Sequence, residues 1–263
     1  MNALKPQNIN LLREMVIADF KLRYQGSILG YMWSLLRPLA LFGILYVVFA
    51  RFLRVGADIP HYPVYLLLGI VLWNFFLEAT SLGLRAVVDR GELIRKVNIP
   101  KFIVVVAPVA SAFVNLLLNF IVVLVFVGVS GIGVHKVLVF LPLILAELLV
   151  FSLSLSFLLS ALYVRFRDIA YIWELAAQML FYAVPIIYPL NSVPVKFAKY
   201  LLLNPVAQII QDARYALITK QTITGSSLLS LPLRLVPFLI AAVLVVVSIR
   251  YFRSKSPYFA EDI

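Results

Sequence analysis

Cysteine is absent from the 263 residues, which excludes disulfides and thiolate metal sites. Charge is scarce as well: 13% of residues are Asp, Glu, Lys or Arg, too few to wrap a soluble globule of this size. The sequence also has no nucleotide-binding loop, no cluster of metal ligands and no hydrolytic triad. Its first thirty residues carry Lys5, Arg13, Glu14, Asp19, Lys21 and Arg23, with no apolar core leading to a small-residue cleavage site, so no cleaved signal peptide is expected. What is abundant is apolar surface. The hydrophobic fraction is 63% and the mean hydropathy +1.01, so the chain reads as an integral membrane protein. The net charge of +11 is then a basic fringe toward an anionic leaflet rather than a nucleic-acid surface.

Charged residues punctuate six apolar stretches, near 31–53, 63–83, 102–127, 137–161, 169–190 and 233–252. No charge falls between Phe102 and His135, enough for a crossing and a turn at Ser130, Gly131 and Gly133. Six crossings place both termini on one side. Lys5, Arg13, Lys21, Arg23, Arg85, Arg90, Arg95, Lys96, Lys101, Arg165, Arg167, Arg250, Arg253 and Lys255 fall there, fourteen in all. Arg51, Arg54, Lys136, Lys196, Lys199, Arg214 and Lys220, seven in all, fall opposite. The positive-inside rule makes both termini cytoplasmic.

Three segments do not read as simple spans. Residues 8–24 form an amphipathic helix with Leu11, Met15, Ala18 and Leu22 on one face and Asn10, Arg13, Glu14 and Lys21 on the other. Asp19 and Arg23 are spaced to pair. Such a helix lies in the headgroup layer, with or without a cytoplasmic partner. Residues 85–101 are the most charged stretch, and a short helix there would set Leu93, Ile94 and Val97 among Arg90, Glu92, Arg95 and Lys96. A solvated basic loop needs no such apolar ridge, whereas a docking element does. In 191–232, Asn204 and Pro205 read as an N-cap and first helical residue, followed by a stripe of Val206, Ile209, Ile210, Ala213 and Leu217 through 205–219. Pro185 and Pro189 break the fifth span just before it, and irregular backbone at that depth survives only beside protein or water.

Polar groups inside the spans are few. Arg37 reads as a snorkelling cation or as a contact for an anionic headgroup. Glu147 falls mid-span, with Glu78 and Glu174 nearer the cytoplasmic ends; each is a functional candidate or a packing glutamate. Asn115 with Asn119, and Ser152 with Ser156 and Ser160, share helix faces and read as packing contacts. Tyr31, Trp33, Trp73 and Trp173 are expected as interfacial anchors. Phe181, Tyr182 and Tyr188, near the broken fifth span, are candidates for stacking on sugar rings.

Five motifs follow in order: DFKLRYQGSILGYMWSLLRPLALFGILYVVF at 19–49, GELIRKVNIPKFIVVVAPVAS at 91–111, YVRFRDI at 163–169, VPIIYPLNSVP at 184–194 and LLNPVAQIIQDARYAL at 202–217. Together they resemble the permease subunits of type-2 ATP-binding-cassette exporters, most closely the lipid-linked polysaccharide, O-antigen and teichoic-acid branch. The resemblance implies one all-α domain over 1–263: an interface helix at 8–24, a six-span bundle at 31–253, a coupling segment within 85–101 and short outer gate helices within 191–232. It implies a homodimer whose first and fifth spans line a path for a lipid-linked glycan. A separate ATPase would hold ATP and Mg, and this chain itself would bind no cofactor. Carried onto this sequence, ATPase coupling falls to Arg90, Glu92, Leu93, Ile94, Arg95 and Lys96. The path falls to Tyr46, Phe49, Phe181, Tyr182 and Tyr188, with Arg37 beside it. Arg37-Pro38 stands where the family pattern has Asn-Pro, which puts a positive charge near the cytoplasmic mouth. A proton-coupled carrier using Glu147 and Glu174 is the alternative. It leaves the 85–101 segment without a role, and no inverted repeat supports it.

Overall fold

The computed structural model describes residues 6–24, 30, 32–56, 59–97, 99–133 and 136–262, and among these every regular element is helical. Lys5, Tyr31 and His135 lie outside the described residues. The first helix, α1 (Pro6–Tyr24), packs along α5 (Lys101–Val129), with Met15 buried against Ile103 and Ala107. Leu11, Leu12 and Val16 complete the contact, while Ala18, assigned to that face from the sequence, is exposed. Asp19 pairs with Arg90, so this helix is tied to the bundle by a tertiary contact; the side chain of Arg23, its expected local partner, lies outside the described residues.

Among the described residues, five helical stretches are long and apolar enough to cross a membrane: Met32–Phe52, Tyr62–Asp89, Lys101–Val129, Lys136–Arg165 and Leu231–Asp262. The first is α2 (Met32–Leu45) continuing as a π-helix, Tyr46–Phe52. The second, α3 (Tyr62–Asp89), is apolar all round and is correspondingly the most enclosed helix of the bundle. It extends six residues past the sequence-derived boundary, so Arg85 and Asp89 are helical. The next are α5 and α6 (Leu141–Arg165), the latter entered from a 3₁₀ turn, Lys136–Phe140. The last is α12 (Val236–Lys255) with the short turns around it.

The sixth apolar helix, α7 (Ile169–Ala183), has 15 residues. At 1.5 Å per residue it spans about 22 Å, short of the roughly 30 Å of hydrocarbon. It stops where Pro185 forbids continuation. The chain then runs irregularly through Val184, Pro185, Ile186, Ile187 and Pro189, all buried. Beyond it come α8 (Val195–Leu201) and α9 (Pro205–Leu217). The Asn204 side chain accepts from the Val206 amide at 2.9 Å, the cap expected from the Asn-Pro pair.

Small residues let α3 and α6 approach closely. A Cβ on Gly83 of α3 would lie 2.4 Å from Ser156 Cβ of α6, and the Ser156 hydroxyl donates to Ala79 O at 3.1 Å. Asn115 donates to Glu78 at 2.8 Å, and Asn119 to Ser34 O at 3.2 Å, joining α5 to α3 and α2. These asparagines and serines serve packing, as their shared faces suggested. Trp73 and Trp173 do not anchor at an interface: both are buried, their rings meeting Phe76 at 5.4 and 5.9 Å. Trp73 is eleven residues into α3, so no helix end brings it to the headgroups.

Candidate functional site

On the face bearing the 85–101 segment, α3 gives way at Arg90 to α4 (Gly91–Lys96), a short helix that stops well before Pro100. Its six candidate residues divide into two groups. Glu92, Leu93, Arg95 and Lys96 are exposed, and Lys96 pairs with Glu92 across one turn at 3.0 Å. Ile94 is buried. Arg90 is turned inward, donating to Val104 O at 2.9 Å and to Asp19, so it fastens α4, α5 and α1 together. The expected apolar ridge is therefore Leu93 with Val97, both exposed, flanked by charge.

A cavity of about 670 Å³ opens between α3 and α7, with Leu41 of α2 at its edge. Its wall mixes rings (Trp73, Trp173, Phe181, Tyr182) with polar groups (Asn74, Ser81, Arg85, Glu174, Gln178). Helix periodicity builds this mixture. Ser81 and Arg85 are four residues apart, as are Glu174 and Gln178, so each pair projects from one helix face. Phe181 packs on Trp73 with ring centroids 5.9 Å apart and on Tyr182 at 5.3 Å. Such a wall offers ring faces and sparse hydrogen-bonding groups.

The remaining candidates lie elsewhere. Tyr46 and Phe49 are half-buried in the π-helical turn at the far end of α2, where Tyr46 stacks on Phe42 at 5.8 Å. Arg37 is exposed on α2, one residue before the buried Pro38. Tyr188 does not offer a free ring tip: its hydroxyl donates to Ala183 O at 3.0 Å and Tyr182 O at 3.3 Å, closing the end of α7. Glu147 faces Gln208 and Asp212 of α9, while Glu174 lines the cavity, so the two acids occupy different surroundings.

The strongest polar feature was not read from the sequence. Arg214, counted there among surface charges, is fully buried. Its guanidinium donates to Tyr65 O at 3.1 Å, Pro185 O at 2.5 Å, Ile186 O at 2.6 Å and Gln211 Oε1 at 3.0 Å, and lies 3.6 Å from the Tyr65 ring centroid. It thus satisfies the carbonyls freed where α7 breaks and binds them to α3 and α9 at once. Gly69 makes the room, since a Cβ there would sit 2.4 Å from Nη2. The legible signal was a polar row, Gln208, Gln211 and Arg214, beside Asp212 in a helix whose other residues are mostly apolar. The remaining six cations of the sequence-derived outer set are exposed.

Known proteins are similar over most of this length. The chain is 30% identical over 212 residues to an O-antigen export system permease protein RfbA of Klebsiella pneumoniae, covering 79% of this chain and 81% of the relative. It is 27% identical over 255 residues to the protein of that name in Myxococcus xanthus, covering 96% and 95%. A polysialic acid transport protein KpsM of Escherichia coli is 23% identical over 217 residues, covering 81% and 83%. Residues 10–218 match the ABC-2 type transporter family, a span that takes in α4, the α3–α7 cavity and Arg214. This chain is a membrane subunit of the ABC-2 type transporter family.

Proposed function

We propose that this chain is the membrane-spanning half of an ATP-driven exporter that moves a lipid-linked polysaccharide across the cytoplasmic membrane. A second copy and two separate ATPase subunits complete the machine. The observation that carries the reading is the ring-and-polar wall between α3 and α7. On α7 beside it, Tyr171, Ile172, Leu175, Met179 and Tyr182 stand exposed, an apolar face suited to lipid, to a second copy or to cargo. A path between two copies leaves each with such a half-wall.

In this reading α7 and the buried run to Leu190 together make the fifth of six crossings, both termini are cytoplasmic, and α1 lies in the headgroup layer. Closure of the ATPases presses on Glu92, Leu93, Arg95 and Lys96. Because α4 continues directly from α3, the push reaches the cavity wall, and the π-helical turn holding Tyr46 and Phe49 gives α2 a place to yield. Arg214 keeps α8 and α9 seated as an outer gate. The phosphate of the lipid carrier meets Arg37 and Arg85 on the cytoplasmic side, and sugar rings slide past Phe181 and Tyr182.

Co-purification with an ABC ATPase subunit, followed by mass spectrometry of bound lipid-linked sugar, tests the reading. A glycolipid retained by the wild type and lost on Tyr182→Ala supports it. A complex that holds no glycolipid, or moves one only on a proton gradient, overturns it.

A further inference from the structure

The docking helix α4 has six residues, far fewer than the roughly 12–15 that an isolated helix needs to persist in water. Something else must hold its angle. Its inward residue, Ile94, is buried in a small cluster separate from the main core, among Val87 of α3, Val105 of α5, Val164 of α6, and Phe252 and Phe259. Phe259 comes from beyond the last long helix. After α12 a 3₁₀ turn, Ser256–Tyr258, leads into α13 (Phe259–Asp262), which packs on both α4 and α6.

Two contacts hold that segment in place. The Lys101 ammonium, at the start of α5, donates to Ser256 O at 2.6 Å and Pro257 O at 3.2 Å, placing a cation on the carbonyls that end α12. Phe259 meets the edge of Phe252 at 5.3 Å, and Phe252 meets Phe157 at 4.9 Å. Phe259 is 1% exposed, while its neighbours Glu261 and Asp262 face outward. Phe259 lies two turns beyond Phe252 at the end of the last helical stretch. Its burial is spent on the wall of the Ile94 socket.

We infer that the 256–262 segment is a clasp on the docking helix and that Phe259 is a positioning residue for ATPase coupling, closing the Ile94 socket so that Leu93, Arg95 and Lys96 are presented at a fixed angle. The inference rests on the proposed docking role of α4, but its first test does not. The absence of cysteine permits single labels without background. A spin label is placed at Arg95→Cys, and separately at Lys220→Cys as a distant reference, in the full chain in lipid nanodiscs without partner.

Phe259→Ala is expected to raise mobility at position 95 and leave position 220 unchanged, with Phe259→Leu restoring much of the loss. In the assembled complex the same change lowers export per ATP hydrolysed several-fold. Unchanged mobility at 95 overturns the clasp. If Phe259→Ala loosens position 220 as well, Lys101→Gln, which frees the segment without opening a cavity, must still raise mobility at 95; no rise overturns the clasp. If mobility rises as expected but reversing Arg95 and Lys96 leaves ATPase co-purification intact, the clasp stands and the docking role of α4 fails.

Discussion

Replacing Arg214 by methionine removes one side chain from three backbone carbonyls that have little other reason to lie together. Tyr65 O, Pro185 O and Ile186 O each lose a donor at 2.5–3.1 Å, inside a region closed to water. A buried acceptor left without a partner costs about 1–3 kcal/mol. The cation–π contact with Tyr65 adds about 2 kcal/mol where it is desolvated. Against this, methionine no longer needs to be stripped of the guanidinium's hydration, worth several kcal/mol in the opposite direction. The balance is a loss of about 3–5 kcal/mol, in the range seen when one partner of a buried charged contact is removed. At about 2–4 °C per kcal/mol for a chain of this size, the midpoint of thermal aggregation in detergent should fall by roughly 10 °C. Arg214→Lys keeps the charge but not the fork, and should lie between the two. Gly69→Ala pushes a methyl into the same guanidinium and should reproduce the defect without touching any charge. Size-exclusion chromatography after graded heating reads all three. An Arg214→Met protein as heat-stable as wild type, with the 195–217 segment no more open to protease, would refute the role of Arg214 as anchor.

Other outcomes follow from the same contacts. Reversing both Arg95 and Lys96 to glutamate should abolish ATPase co-purification while leaving the melting midpoint unchanged, because both side chains are exposed; pull-down with the partner reads it. Gly83→Ala should destabilise by about 1–3 kcal/mol through the clash with Ser156, and Ser156→Gly should recover most of it in a thermal shift series. Asp19→Asn should weaken the Arg90 tie by about 1–2 kcal/mol, the pair being only about one-fifth exposed, and speed proteolysis within α1.

Much of the bundle was legible in the chain because a bilayer asks for one thing, length of apolar helix. The boundaries of α5 and α6 fall within a few residues of the charge-delimited stretches, and the Asn204-Pro205 cap marks the start of α9. Other features were hidden for physical reasons. Tryptophan is equally at home at an interface and in a core, so Trp73 and Trp173 were placed by residue type rather than by depth. Asp19 has a local partner at proper spacing in Arg23, and only tertiary folding brings Arg90 to it. Arg214 looked like a surface cation because composition cannot reveal that a proline break twenty-nine residues earlier leaves carbonyls in need of donors. Phe259 falls past the apolar stretch 233–252, at i,i+7 from Phe252, and only the folded chain shows that the pair closes on Ile94. The cavity polar pairs, Ser81 with Arg85 and Glu174 with Gln178, were present at helical spacing but needed two helices to face each other before they formed a wall.

The most direct test of the central claim, that force enters at α4 from a partner, is export by reconstituted permease and ATPase in inverted vesicles. The account predicts flux with ATP that survives an uncoupler and disappears when Arg95 and Lys96 are reversed. Flux that runs without ATP and collapses with the proton gradient would contradict it.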